Sequence, residues 1–203
     1  MTSLSMPEPE LTAELFVEEA IACRRSRRSF AEGVLSLQQL SRVLWAAQGV
    51  TEEGGRKRAV PSAGATYPLS LFVAVGEGCV EGLEAGVYLY EGEKHELSPH
   101  ADGDIRKEVA SAALGQAFLA DAAVILLVVA DYSRTTGRYG ERGRRYVDME
   151  VGHLGQNVSL EAEALRLATV CVGAFRDRSV AQAFSIDADL EPLYLLPVGH
   201  PGD

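Results

Sequence analysis

Cysteine is scarce in this chain: Cys23, Cys79 and Cys171 are all there is. They are odd in number, widely spaced and form no CxxC. No disulfide framework is therefore indicated, and a reducing interior is the expected setting. Long apolar runs are missing too. The longest, AAVILLVVA from Ala122 to Ala130, is far shorter than a bilayer span. The opening stretch MTSLSMPEPELTAELF lacks a basic region followed by an apolar run, so it is not read as a secretory signal. Positive charge is in deficit: 19 Lys and Arg against 29 Asp and Glu give a formal net charge of −10. Like charge repels at long range, which argues against a protein that coats DNA or an anionic membrane. The expectation is a cytoplasmic protein with neither nucleic acid nor membrane as partner.

The common catalytic signatures are absent as well. There is no GxGxxG and no GxxxxGK[ST], so neither a Rossmann pyrophosphate site nor a P-loop is indicated. There is no GxSxG and no HExxH. Glu150-x-x-His153 is half of a di-iron pattern, but no other helix supplies the second half. His95, His100 and His200 fall in polar loops without ligand spacing. No metal site is expected.

What is present fits one domain spanning residues 1–203, with residues 1–10 read as flexible. Apolar residues make up 47% of the chain, enough for a sizeable core. Helical spacing covers Leu11–Cys23. Ser36-Leu37-Gln38-Gln39 forms a capping box, and Gly49 stops the helix that follows. Thr51–Pro68 is a polar loop rich in Gly and Pro, long enough to carry function. Leu69–Val75, Val87–Tyr90 and Val124–Val129 read as strands, the last apolar on both faces. Asp104–Leu119 and Tyr146–Leu167 read as helices, separated in part by polar Tyr132–Arg145 with its five arginines. Asp177 is read as the cap of a short helix to Phe184, and Leu193–Val198 closes as a strand that Pro197 pushes towards a sheet edge. Without regular βαβ alternation, the class is α+β.

Four of the arginines crowd into RRSRRSF, residues 24 to 30. A solvated helix end would explain one or two of them through the helix dipole. A nucleic-acid patch would need a matching basic face that the rest of the chain does not supply. A compact anion site fits best: guanidinium forks match phosphate oxygens, and a Ser hydroxyl adds a donor. The loop Pro61-Ser62-Ala63-Gly64-Ala65-Thr66-Tyr67-Pro68 is the second signal. Its prolines stiffen it, Gly64 lets backbone come close to a ligand, and small side chains leave room for a flat ring.

Taken in order, RRSRRSF, PSAGATYPL, GVYLYEGEKHELSP, YGERGRRYVDMEVGHLGQNVSLEAEAL, CVGAF and LYLLPVG resemble the FMN-dependent nitroreductase superfamily, and within it the SagB-type dehydrogenases. The resemblance runs from about Arg24 to Gly199. It implies an α+β sandwich whose central mixed, mostly antiparallel sheet of four or five strands is flanked by helices. It also implies a homodimer with FMN at the subunit interface. Arg24, Ser26 and Arg28 would hold the ribityl phosphate, with Arg25 near the pyrimidine edge. Pro61, Ser62, Ala63 and Gly64 of the partner would lie against the isoalloxazine. Val172, Gly173 and Ala174 would present a backbone N–H to flavin N5. Gln156 and Asn157 are read as helix–helix hydrogen-bonding residues, and Glu161 and Glu163 as solvent-facing.

The implied activity is ping-pong hydride transfer through FMN between NAD(P)H or a small organic substrate and an acceptor. Gly173 is the candidate for the backbone contact at the reacting nitrogen, and Tyr139 for a substrate-side proton donor or a ring packed under the loop. Arg142, Arg144 and Arg145 either bind an anionic substrate or form a solvated charged loop. Three departures from the family pattern stand out. No basic pair follows the last strand, Leu165-Arg166-Leu167-Ala168 replaces a Gly-Leu-Gly, and Arg138-Tyr139 stands where azoline-oxidising members carry Lys-Tyr. Arginine stays protonated and is a poor general base. The alternatives are a SagB-type dehydrogenase acting on an azoline or related peptide-derived substrate, a flavin-binding protein without turnover, and a small nucleic-acid-binding protein.

Overall fold

The computed structural model describes residues 2–12, 15–52, 54 and 57–203. In chain order they form strand β1 (Leu4–Ser5), helix α1 (Val17–Cys23), strand β2 (Phe30–Ala31) and helix α2 (Leu37–Gln48). Strands β3 (Leu69–Val75), β4 (Gly86–Glu91) and β5 (Glu96–Asp102) follow, then helices α3 (Arg106–Ala112) and α4 (Phe118–Asp121). Strand β6 (Val124–Ala130), helices α5 (Tyr132–Tyr139) and α6 (Arg142–Ala164), strand β7 (Ala168–Thr169), helix α7 (Asp177–Ala183) and strand β8 (Glu191–Pro201) complete the chain.

The α+β class holds. The strand order is β1-β5-β4-β3-β6-β8-β2, with β7 also on β8. Every ladder is antiparallel. Among the described residues, parallel pairing is confined to the isolated bridge Leu35–Val80. The expected mixed sheet is thus corrected to an antiparallel one. Short connections lead from β3 to β4 and from β4 to β5, and turns of that length can only reverse the chain. Strand β8 is not an edge despite Pro197, because β6 lies on one side and β7, β2 and the Val172–Leu195 bridge on the other. Pro197 sits opposite Ile125, between the Val172–Leu195 bridge and the Thr169–Val198 pair. Its missing N–H falls in that gap.

Strand β6 shows why the sheet is buried on both faces. Val124, Leu126, Val128 and Ala130 face one core with Leu40, Val43 and Leu44 of α2 and Val147, Val151, Leu154 and Val158 of α6. Ile125, Leu127 and Val129 face the other, with Val109 of α3, Leu119 of α4, Val180 of α7 and Phe184. Two helical layers therefore sandwich the sheet. Helix α2 begins at the expected box: Ser36 Oγ accepts from the Gln39 N–H at 3.1 Å, and Gln39 Oε1 accepts from the Ser36 N–H at 2.9 Å.

Some boundaries differ from the sequence expectation. The helix expected over Asp104–Leu119 is two, because Leu114 and Gly115 turn with φ of 59° and 77°. Tyr132–Arg145 is helical, not loop-like: Asp131 Oδ1 caps α5 by accepting from the Ser133 N–H at 3.0 Å. The amino-terminal residues, read as flexible, are tied down. β1 pairs with β5, and Met6 is buried.

His95 makes this tie, although it reads in sequence as a polar loop residue. Its Nδ1 lies 2.7 Å from the Tyr90 hydroxyl, and its Nε2 lies 2.8 Å from Ser41 Oγ and 3.1 Å from the Pro7 carbonyl. Burial holds its pKa below the ordinary 6.5. A base depressed in the folded state binds more protons when unfolded, so its share of stability is full above 6.5 and lost as pH falls below that value. Measured by chemical denaturation, the stability advantage of the unaltered protein over His95→Gln should shrink as pH falls from 7 to 5, a difference that cancels the other groups titrating in that range.

Candidate functional site

The arginine cluster follows the end of α1. Its members divide by partner. Arg27 donates to both oxygens of Glu163, at 2.5 and 3.1 Å, and its backbone N–H bonds the Thr169 carbonyl. Arg25 Nη1 donates to the carbonyls of Ala22 and Arg24, at 2.9 and 2.8 Å. It thus satisfies the exposed end of the helix, as the dipole argument anticipates for one arginine. Arg24 is half-buried, its charge is felt at Cys171, and among the described carboxylates none pairs with it. The same holds for exposed Arg28, which Ser26 nearly adjoins in sequence. Among the described residues, then, only Arg27 of the cluster forms an ion pair. The neighbouring strand β2 pairs with the end of β8, and the Gly202 N–H bonds the Ser29 carbonyl.

Glu161 and Glu163 are not solvent-facing, which corrects the sequence reading. Glu163 is taken by Arg27, and Glu161 Oε1 accepts from Arg42 Nε at 2.6 Å. Both carboxylates lie on the last turns of α6, where helical phase turns them towards α1 and α2.

The loop 61–68 docks at the other end of α6. Gly64, Ala65 and Tyr67 adopt φ of 61°, 52° and 43°, a conformation that costs any residue with a Cβ. Its contacts hold it there. Ser62 Oγ accepts from the Tyr67 N–H at 2.9 Å, and Thr66 Oγ1 lies 2.8 Å from buried Thr135 Oγ1 on α5. Arg138 Nη1 donates to the Gly64 carbonyl at 3.1 Å. The Arg58 guanidinium lies 4.4 Å from the centre of the Tyr67 ring. Pro61 and Gly64 stay exposed. Tyr139 packs edge-on against Tyr146 at 5.2 Å, with Arg138 over its ring. Its hydroxyl comes so near Gly64 that a Cβ there would lie 2.5 Å from it.

Beneath this loop is Glu150 on α6, 2% exposed and hydrogen-bonded to Ser62. Burial pushes its carboxyl up to about 7, against the pull of Arg58 and Arg134. Sequence reading considered it only as half a metal pattern. The buried stripe Val147, Val151, Leu154 and Val158 places position 150 on the same inward face, so helical phase was the signal that could have found it. His153, by contrast, is exposed.

The third segment, Val172–Ala174, leaves the sheet beside β8. The Val172 N–H is taken by the Leu195 carbonyl at 2.8 Å, and the Ala174 carbonyl accepts from Gln116 Nε2 at 2.9 Å. The N–H groups of Gly173 and Ala174, both exposed, find no hydrogen-bond partner among the described residues. Behind them, Gly155 of α6 lets Cys171 approach: a Cβ at 155 would lie 2.9 Å from its Sγ. Asn157 Nδ2 donates to the carbonyls of Ala46 and Ala59, so its expected role in joining helices is met, while Gln156 is exposed. Arg144 pairs with Glu191 at the surface and lies 4.1 Å from the Tyr132 ring centre.

The Nitroreductase family profile matches residues 21–200. The chain belongs to the Nitroreductase family. A candidate nitroreductase of Methanocaldococcus jannaschii is 46% identical over 97% of this chain and 95% of its own length. The microcin B17-processing protein McbC of Escherichia coli, a SagB-type relative, is 27% identical over 75% of this chain and 57% of its own. Among solved structures, a candidate nitroreductase of Ralstonia eutropha matches all of this chain and 91% of its own, at 27% identity and a TM-score of 0.86. The antiparallel sheet with its two helical layers is therefore a nitroreductase-like fold. No helix among the described residues is long and apolar enough to cross a membrane.

Proposed function

We propose that the protein is an FMN-dependent oxidoreductase that exchanges hydride between NAD(P)H or a small organic substrate and an acceptor, working as a homodimer. The observation that carries this reading is the division of the arginine cluster. Arg27 is paired with Glu163, while Arg24 and Arg28, on either side of Ser26 in sequence, pair with no carboxylate among the described residues. Two guanidiniums without a carboxylate partner among the described residues, flanking a hydroxyl in sequence, suit a dianionic phosphate. The residues present thus fit FMN, and the family and a structure of a family member holding FMN support it.

In this reading Arg24, Ser26 and Arg28 hold the phosphate, and Arg25 lies beside the ring system. Pro61, Ser62, Ala63 and Gly64 form the wall against the flat ring and exclude water from it. The free N–H of Gly173 or Ala174 faces the reacting nitrogen, since that of Val172 is already used. FMN, when bound, supplies hydride acceptance and donation at N5. Tyr139, whose hydroxyl lies near Gly64, would hand a proton to substrate at the loop. Ser62 meets α6 at Glu150 and Arg27 meets it at Glu163, so loop and cluster are about 20 Å apart along the helix at 1.5 Å per residue. That separation supports a site shared by two copies, the cluster from one and the loop from the other.

The test is spectroscopic. The purified protein should be yellow, or become so with FMN, and should bleach anaerobically with NADH or NADPH. Its mass in light scattering should be twice 21.8 kDa. Colourless protein that does not take up FMN would overturn the reading, and yellow protein that neither nicotinamide bleaches would leave a flavin-binding protein without turnover. The likeness to McbC favours a second reading, dehydrogenation of an azoline ring in a modified peptide. Against it stands Arg138, whose guanidinium donates to the Gly64 carbonyl, because arginine is a poor general base.

A further inference from the structure

Three buried polar atoms near the loop have no hydrogen-bond partner among the described residues: Glu150 Oε1, Arg58 Nε and Gln48 Nε2. The first is an acceptor when ionised, and the others are donors. An unpaired buried carboxylate oxygen is costly, whereas a neutral carboxyl in the same place is tolerated far better. The observed arrangement therefore suits a Glu150 that carries a proton.

Losing that proton to bulk water would change the demand. A carboxylate whose Oε1 lacks a partner among the described residues would recruit an unpaired cationic donor close by. Two cations face Glu150 from outside its own helix, Arg58 from the segment before the loop and Arg134 from α5. Arg58 has the unpaired buried N–H. Yet Arg58 also holds the loop through Tyr67, and is itself held by Gln48 Oε1 at 3.1 Å and Glu93 at 3.3 Å. Turning its guanidinium to Glu150 would withdraw it from the Tyr67 ring. Tyr67 is one of three residues in the loop at positive φ, so the strained turn would lose a tie that maintains it.

We propose that Glu150 is a positioning residue for the 61–68 loop: protonated, it leaves Arg58 on Tyr67 and the loop closed; ionised, it draws Arg58 away and the loop loosens. Through the loop it sets how well a flat ring is held, which deepens the flavin reading and rests on it only for that last link. Glu150 touches no substrate or cofactor in this scheme. The titration falls in the physiological range. With a carboxyl near 7, roughly one-tenth is ionised at pH 6 and nine-tenths at pH 8.

Amide hydrogen exchange in the full-length protein tests this without flavin. The Tyr67 N–H, bonded to Ser62 Oγ, reports loop closure. Corrected for intrinsic rates, its protection should fall between pH 6 and 8, by up to about tenfold, the ratio of ionised fractions, and Glu150→Gln should abolish the fall. Arg58→Met, which removes the recruited donor, should abolish it too and serves if the Gln variant does not fold. A fall that persists in either variant, or is absent from the unaltered protein, overturns the proposal. FMN titrations over the same range separate the two readings. Weaker binding at pH 8 than at pH 6 in the unaltered protein alone extends the effect to the flavin. No binding at any pH refutes the flavin reading while the exchange result still decides Glu150.

Discussion

The double variant Arg24→Ala/Arg28→Ala should lose FMN affinity by about 10²- to 10⁴-fold. Each single variant should lose about 10- to 150-fold, because a charge-assisted hydrogen bond contributes about 1.5–3 kcal/mol and 1.4 kcal/mol is a factor of ten. Their melting temperatures should hardly move, since neither side chain has a carboxylate partner within the described chain to strand. Arg27→Ala should behave in the opposite way. It strands Glu163, whose side chain is 13% exposed, and should cost about 1–3 kcal/mol of stability with a smaller effect on flavin. Fluorescence titration of FMN and thermal melts on the four proteins check the contrast. If flavin affinity in the double variant equals that of the unaltered protein, the phosphate is held elsewhere.

Gly64→Val should be nearly as damaging, for a reason of backbone and not of charge. At φ 61° a β-branched residue is strained by about 1–2 kcal/mol, and its Cβ would collide with the Tyr139 hydroxyl and approach the Arg138 guanidinium to 3.0 Å. Displacing Arg138 also costs its bond to the Gly64 carbonyl, about 1 kcal/mol more. The expected sum is about 2–3 kcal/mol, taken partly as lost stability and partly as a displaced loop. A denaturant titration should show a lower midpoint, and FMN should bind correspondingly more weakly. Gly64→Ala should fall between. An unchanged midpoint with full flavin affinity would show that the turn is not under the constraint described.

Much of this was legible in the sequence because it rests on local chemistry. The capping box at Ser36 and the apolar runs of β3 and β6 are short-range signals, and the structure follows them; the helix at Asp177 forms too, but Arg176 and not Asp177 stands at its N-cap. The charge contrast of RRSRRSF is visible without coordinates. Which arginine is spoken for is not. Arg27 finds Glu163 across 136 positions, and no pattern within either segment announces the pair. Strand β5 was hidden by Pro99 and its polar residues, since it takes its pairing from β4 and not from its own propensity. Glu150 was misjudged for a related reason. A charged residue inside an inward-facing stripe was weighed by its spacing to His153 and not by the phase of its neighbours.

The short strand β1 closes the outer side of β5, with Leu4 opposite Leu97 and Ser5 opposite Glu96. Trimming the amino terminus to obtain a tidier protein would therefore uncover a row of unsatisfied main-chain groups and the hollow that Met6 fills. Such a bare border invites another polypeptide to add itself to the sheet. A shortened version of this protein would tend towards clumping before it lost its architecture.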